Sequence, residues 1–184
     1  MVQKGKDMTD LELVDGCVNK DPKAQRELYN RFASKMLGVS YRYANSQEEA
    51  QDVLQDAFIK VFERISSFKK DGSLEGWIRR VVVNTSLDNI RKTKKEKYNV
   101  ALAEAEYLAS DKDFIIESMS AKELLQLLKT LPLGYRTVFN LYAIEGYSHK
   151  EIADQLDISE NTSKSQFSRA KAFMRKLIEQ YELD

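Results

Sequence analysis

Apolar residues recur along this chain at steps of three and four, the period of a helix with one buried face. The clearest run is Leu28, Phe32, Met36, Val39 and Tyr43, and Asp21-Pro22 ahead of it reads as N-cap and first helical residue. A helix is therefore predicted from Pro22 through Ala44. Thr9 with Glu12 three residues on is a capping-box pattern that opens a shorter helix over LELVDGCV. Ser46 with Glu49 caps a third, in which Val53, Ala57 and Val61 point one way and the acids another. After the loop SSFKKDGS, Ser73 caps a fourth, LEGWIRRVVVNTSLDNIRKTKK, apolar early and basic late, in which Trp77, Val81 and Ile90 fit a buried stripe.

From residue 97 to 117 no apolar stripe is sustained, which predicts a linker. At roughly 3.3 Å per residue it would span about 70 Å, close to two turns of DNA at roughly 34–36 Å each. Periodicity then returns. Ser120 and Glu123 form a capping box ahead of Leu124, Leu127, Leu128 and Leu131, Pro132 ends that helix, and LGYRTVFNLYAIE makes another that Gly146 closes. Ser148 and Glu151 box the start of HKEIADQL, DIS turns the chain, and Ser159 caps the long segment ENTSKSQFSRAKAFMRKLIEQYE. Two helices across so short a turn have the spacing of a helix-turn-helix. Ile152, Ala153, Leu156, Ile158, Phe167 and Ala170 supply the inner faces, while Lys164, Ser165, Ser168, Arg169 and Lys171 line the outer one. Such side chains suit base edges and phosphates; a plain helical hairpin is the alternative that spacing alone leaves open.

The expected fold is all-α: two small helical domains, residues 8–96 and 118–184, joined by a linker over 97–117, with the helix-turn-helix in the second. Composition agrees, since 7 Gly and 2 Pro in 184 residues are too few for the turns of a sandwich or barrel. One cysteine, Cys17, and one histidine, His149, cannot supply a four-ligand zinc site. Cys17 reads as a small, partly buried residue and His149 as an exposed residue of a helix's first turn. No phosphate-loop or dinucleotide fingerprint occurs, so no cofactor and no catalysis are expected. No apolar run approaches the roughly 20 residues of a membrane span, and MVQKGKDMTDLELV lacks the apolar core of a signal peptide. The expectation is a soluble cytoplasmic protein with no membrane insertion.

A formal net charge of zero hides blocks of opposite sign. Glu48, Glu49, Asp52 and Asp56 stand together without a base; Arg79, Arg80, Arg91, Lys92, Lys94, Lys95 and Lys97 outnumber Asp88 and Glu96. A second acidic stretch covers the linker, and a second basic one runs from Glu160 to Lys176. Glu48, Asp52 and Asp56 share a face at four-residue steps, which raises a carboxylate metal site. Di-iron helices, however, pair such acids with Glu-x-x-His, and the single histidine lies far along the chain. A docking face, or a merely solvated one, fits better.

With these motifs in place, the sequence resembles the extracytoplasmic-function sigma factors, the compact two-domain branch of the bacterial RNA polymerase sigma family, over nearly its whole length. DVLQDAFIKVF resembles the segment that docks on the clamp of the polymerase largest subunit, which puts Asp52, Gln55, Asp56 and Phe58 at docking positions. SFKKDGSLEGWIRRVVVNTSLDNIRK resembles the element that opens and reads the −10 region. By that resemblance Phe68, Lys69 and Lys70 belong to the loop, ending at Ser73, that cradles a flipped-out base, and Trp77, Arg80, Asn84, Asp88 and Arg91 follow on the helix. The C-terminal segment resembles the −35-binding domain and implies DNA contacts for Thr162, Lys164, Ser165, Ser168, Arg169 and Lys171. Where the family commonly has T-V-K-S-R, this chain has Thr162-Ser163-Lys164-Ser165-Gln166, one apolar anchor and one arginine fewer. The implied function is a non-enzymatic initiation factor. Its implied partners are core RNA polymerase, through the clamp and the flap of the second-largest subunit, promoter DNA and an anti-sigma protein. The alternative from another class is a free-standing helix-turn-helix repressor or activator, which would bind duplex DNA alone, usually as a two-fold dimer.

Overall fold

The computed structural model describes residues 8–97 and 121–181. The linker read over residues 97–117 and the cap assigned to Ser120 fall, apart from Lys97, outside the described residues. The chain divides into two compact units, with the division between Glu96 and Lys97.

The first unit has four helices: α1 (Asp10–Val18), α2 (Pro22–Tyr43), α3 (Gln47–Arg64) and α4 (Leu74–Lys97). The predicted capping box of α1 is present, Thr9 N–H donating to the Glu12 carboxylate at 2.7 Å and Glu12 N–H to the Thr9 hydroxyl at 3.3 Å. Asp21 caps α2 through Lys23 N–H at 2.9 Å, with Pro22 as its first residue. Leu28, Phe32, Met36, Val39 and Tyr43 are all buried, so the stripe that predicts α2 is its core face. α1 and α2 approach so closely at Gly16 that a Cβ there would lie 2.4 Å from the Ala24 Cβ. Arg31 of α2 ties the same pair together, donating to the Met8 carbonyl ahead of α1 at 2.7 Å and pairing with Asp10 of α1 at 3.4 Å.

Ser46 caps α3 through Glu49 N–H at 3.1 Å. The Glu49 carboxylate turns inward, accepting from Asn45 N–H and from the Asn89 amide of α4, each at 2.7 Å. In α4 the buried line is Leu74, Ile78, Val82, Leu87 and Ile90, with Val83, Thr85 and Ser86 also buried. That corrects the sequence reading, for Trp77 and Val81 are only half-buried and flank this line. Thr85 and Ser86 donate to the carbonyls of Val81 and Val82, which lets two hydroxyls sit in the core without orphaned polar atoms.

The second unit contains α5 (Ala121–Thr130), α6 (Leu133–Phe139), α7 (His149–Leu156) and α8 (Glu160–Tyr181). Its core is Leu128, Leu131, Ala170, Met174 and Ile178, with Leu124, Leu127, Tyr135 and Phe139 packed against it. Pro132 separates α5 from α6 as predicted. The next segment is less regular than its periodicity predicts, because α6 ends at Phe139 and a wider π turn carries Asn140–Ile144. Gly146 (φ +77°) closes it in the left-handed region that glycine enters without strain. The Ser148–Glu151 box starts α7, Asp157 ends it in left-handed geometry, and Ser159 caps α8 through Thr162 N–H at 3.0 Å. Among the described residues no helix is long and apolar enough to cross a membrane.

Candidate nucleic-acid and polymerase interfaces

In the first unit, a single turn of 3-10 helix, Ile65–Ser67, follows α3 and leads into the loop before α4. Ser73 ends the loop by accepting from Gly76 N–H at 3.2 Å. Between loop and helix lies a cleft of about 530 Å³, walled by Phe68 and Trp77 and rimmed by Lys69, Asp71, Ser73 and Arg80. That size falls within the roughly 300–1,000 Å³ usual for ligand pockets. Its aromatic wall is a tilted pair, with ring centroids 5.9 Å apart and planes at 56°. Phe68 is buried, so it supports the half-buried Trp77 rather than offering a free ring. Hydroxyls, a carboxylate and two cations around an apolar wall make a mixed site, suited to a flat heterocycle with polar edges.

Lys70 is held elsewhere: it sits in left-handed geometry (φ +60°) and its ammonium pairs with Asp15 of α1 at 2.5 Å. Along α4, Trp77, Arg80, Asn84, Asp88 and Arg91 follow one another at three- and four-residue steps and so share a face. Arg80, Asn84 and Arg91 are exposed. Asp88 is engaged, accepting from Lys60 of α3 at 3.1 Å and from Arg91 at 2.7 Å. It braces α3 against α4 and holds both cations in place.

On α3, Asp52, Gln55 and Asp56 are exposed, as a docking face requires. Phe58 is not. It is 3% exposed, with its ring edge-on to Tyr29 at 4.8 Å and tilted against Phe62 at 6.1 Å, so it belongs to the core of this unit. The apolar side chain that the acidic face does present is its neighbour Ile59, 56% exposed. The sequence signal for Ile59 was its place off the Val53, Ala57, Val61 stripe. Among the described residues no group of three His, Cys, Asp or Glu side chains is placed to hold a metal ion.

In the second unit, Lys164, Ser165, Arg169 and Lys171 are exposed on α8, with Thr162 and Ser168 half-buried at the margin. Lys164 pairs with Glu160 one turn earlier at 2.7 Å. Lys171 stands 5.5 Å over the Phe167 ring, and Arg169 reaches the Tyr135 hydroxyl at 3.5 Å. Ser163, where an apolar anchor was expected, is fully buried and hydrogen-bonded to Nδ1 of His149 at 2.9 Å. His149 is thus not the exposed residue of the sequence reading. It is partly buried, stacked on Tyr142 with centroids 4.3 Å apart and planes at 14°, and edge-on to Phe167 at 5.9 Å.

Comparison with known proteins assigns both units. Residues 28–96 match the family described as Sigma-70 region 2, and residues 121–174 match Sigma-70, region 4. The ECF RNA polymerase sigma factor SigM of Mycobacterium tuberculosis is 29% identical over 92% of this chain and 85% of its own length. The RNA polymerase sigma-H factor of Pseudomonas aeruginosa is also 29% identical, over 92% of this chain and 94% of its own. In fold, the chain is similar to the sigma factor RpoE of Bartonella quintana, solved in complex with the anti-sigma factor NepR, with a TM-score of 0.52 at 18% identity over 84% of this chain and 96% of that one.

Proposed function

The chain belongs to the extracytoplasmic-function RNA polymerase sigma factors, non-enzymatic subunits that direct transcription initiation, and from that premise we propose how its surfaces divide the work. Residues 8–96 form the domain that docks on core polymerase and handles the −10 element, 97–117 a connecting linker, and 118–184 the −35-binding domain. Asp52, Gln55, Asp56 and Ile59 meet the clamp of the largest subunit, with Phe58 beneath them as support. The cleft beside Trp77 takes a single unstacked base of the −10 region, while Lys69, Arg80 and Arg91 hold the adjacent phosphates and Asn84 faces the same strand. Lys70 and Asp88 brace this surface from behind.

The observation that carries this reading is the cleft itself, an aromatic wall rimmed by Lys69, Asp71, Ser73 and Arg80 at the start of a basic helix. Strand opening needs a surface that favours unpaired bases, and an aromatic face contributes about 1–3 kcal/mol per stacked base. In the other domain Lys164, Ser165, Ser168, Arg169, Lys171 and Thr162 lie along duplex −35 DNA, where a good base contact is worth about 1–3 kcal/mol on a salt-dependent phosphate background. Core polymerase (through clamp and flap), promoter DNA and an anti-sigma protein are the partners, and the cytoplasm is the compartment. The deciding experiment is in vitro transcription by core polymerase on a pooled promoter library, with and without the protein. Discrete new starts sharing two spaced upstream elements are expected; no new starts, with tight salt-sensitive binding of duplex by the protein alone, would overturn the assignment of surfaces.

A further inference from the structure

The His149–Ser163 contact joins the first residue of α7 to the first turns of α8. Ser163 is 0% exposed, its N–H is bonded to the Ser159 carbonyl, and its hydroxyl meets the His149 imidazole. One turn on, Phe167 lies on the same face of α8 and closes an aromatic clasp with Tyr142 (4.5 Å) and His149 (5.9 Å). The imidazole therefore grips α8 at two successive points of one face. Such a grip fixes the rotation of the helix about its axis, and Lys164 and Ser168 are each one residue from a gripped position. Rotation decides which side chains reach base edges, since successive helical positions point about 100° apart.

We propose that His149 is a positioning residue for promoter recognition, setting the rotation of α8 by accepting the buried Ser163 hydroxyl, and that −35 discrimination is therefore lost when the imidazole takes a proton. The inference rests on the reading of α8 as the −35-facing helix. A neutral imidazole that accepts at Nδ1 carries its proton on Nε2. Protonated, Nδ1 can only donate, so the Ser163 hydroxyl must turn to accept and carry its own proton to another acceptor from a buried position, and a cation stands in the clasp. The charged groups acting on it are Lys164 and Glu160 on α8, Lys150 and Glu151 follow it on α7, and the titratable group stacked on it is the Tyr142 phenol of the π turn. Burial holds the His149 pKa below its ordinary value, the Lys164 ammonium pushes the same way, and Glu160 opposes them. With a folded-state pKa below the unfolded one, the contribution of the neutral imidazole is complete above the unfolded value of about 6.5 and is lost as the pH falls on through the lower folded-state value.

The chain has a single histidine, which makes the test specific. Holoenzyme assembled from the full-length protein and core polymerase is used to select bound DNA from a promoter library randomised at both elements, at about pH 8 and about pH 5.5, on either side of the ordinary histidine range. The downstream element enriched in the same pool is the internal control, because generic effects of acid on phosphate binding act on both elements. For the wild type, enrichment of the upstream element relative to the downstream one is expected to fall about tenfold in acid, the scale of one good base contact. His149→Gln, which keeps an acceptor but cannot titrate, is expected to give the same upstream enrichment at both pH values. Ser163→Ala, a milder change that keeps the aromatic clasp, is expected to give reduced and pH-independent enrichment. Equal wild-type enrichment at both pH values, or an acid loss that persists in either variant, would overturn the inference. Absence of any upstream element at either pH would instead overturn the reading of α8 on which it stands.

Discussion

Replacing Trp77 by alanine separates strand opening from duplex binding. The indole is half-buried, with its centroid 5.9 Å from that of Phe68, and it forms one wall of the cleft beside α4. Two contributions are lost together. Within the protein the tilted pair with Phe68 is worth about 0.5–1.5 kcal/mol beyond its buried area, which lowers the stability of the first domain without unfolding it, since the core line Leu74, Ile78, Val82 and Leu87 is untouched. Toward DNA, one stacked base is worth about 1–3 kcal/mol, which converts to about 5- to 150-fold in the open-complex equilibrium at 1.4 kcal/mol per tenfold. Trp77→Phe keeps a stacking face and is expected to recover most of that loss. The assay is permanganate reactivity of thymines in the opened segment of a library-selected promoter, titrated with holoenzyme. Closed-complex binding measured on the same promoter should change less than about twofold, because the −35 contacts proposed above lie in the other domain. Opening by Trp77→Ala within about twofold of wild type, well below the stacking range, would refute the assignment of the cleft to an unpaired base.

Three further outcomes follow from the packing of the first domain. Gly16→Ala places a Cβ 2.4 Å from that of Ala24, forcing α1 and α2 apart, and should lower stability by about 1–3 kcal/mol, read as a lower urea midpoint at unchanged m-value. Cys17 is 3% exposed, and burial, seconded by the nearby Asp21 charge, raises its thiol pKa. It should resist a thiol reagent at about pH 8, where even an ordinary cysteine is only partly thiolate, and react rapidly once urea unfolds the domain; fast labelling of the folded protein would contradict the buried placement. Asp15→Asn releases Lys70 from α1. An exposed pair contributes at most about 1 kcal/mol, so stability should barely move while promoter opening falls a few-fold. Lys70→Ala should then add nothing further in a double-mutant cycle, and additive losses would show that the pair does not act as one tether.

The elements of this fold were legible wherever their cause is local. Thr9, Asp21, Ser46, Ser148 and Ser159 each cap the helix that follows, because a short side-chain oxygen can reach a backbone N–H two or three residues on whatever the rest of the chain does. The α2 stripe was legible because its five large apolar residues admit one buried face. In α4 the apolar residues cover more than half the circumference, from Leu74 round to Ile90, and periodicity could not decide which line faces inward. The helices it packs on decide it, and they bury Leu74, Ile78 and Val82 while leaving Trp77 at the edge of a cleft.

The candidate sites divide along the same boundary. Exposed charges on helices whose core face is clear, Asp52, Asp56, Lys164 and Arg169, stand where the pattern puts them. Side chains whose role depends on a partner from another helix do not. Phe58 lies in a segment that suggests docking, yet Tyr29 of α2 draws its ring into the core, and Ile59 takes the surface in its place. Ser163 read as a missing apolar anchor because a serine under a recognition helix has no local reason to be buried. Its reason lies 14 residues earlier, in an imidazole that the π turn at Asn140–Ile144 helps to position by bringing Tyr142 beneath it. A valine in that place would fill space at any pH. A serine needs a hydrogen-bonding partner opposite, so exchanging an apolar anchor for a hydrogen bond ties the seat of α8 to His149, and the sequence shows only one side of that exchange.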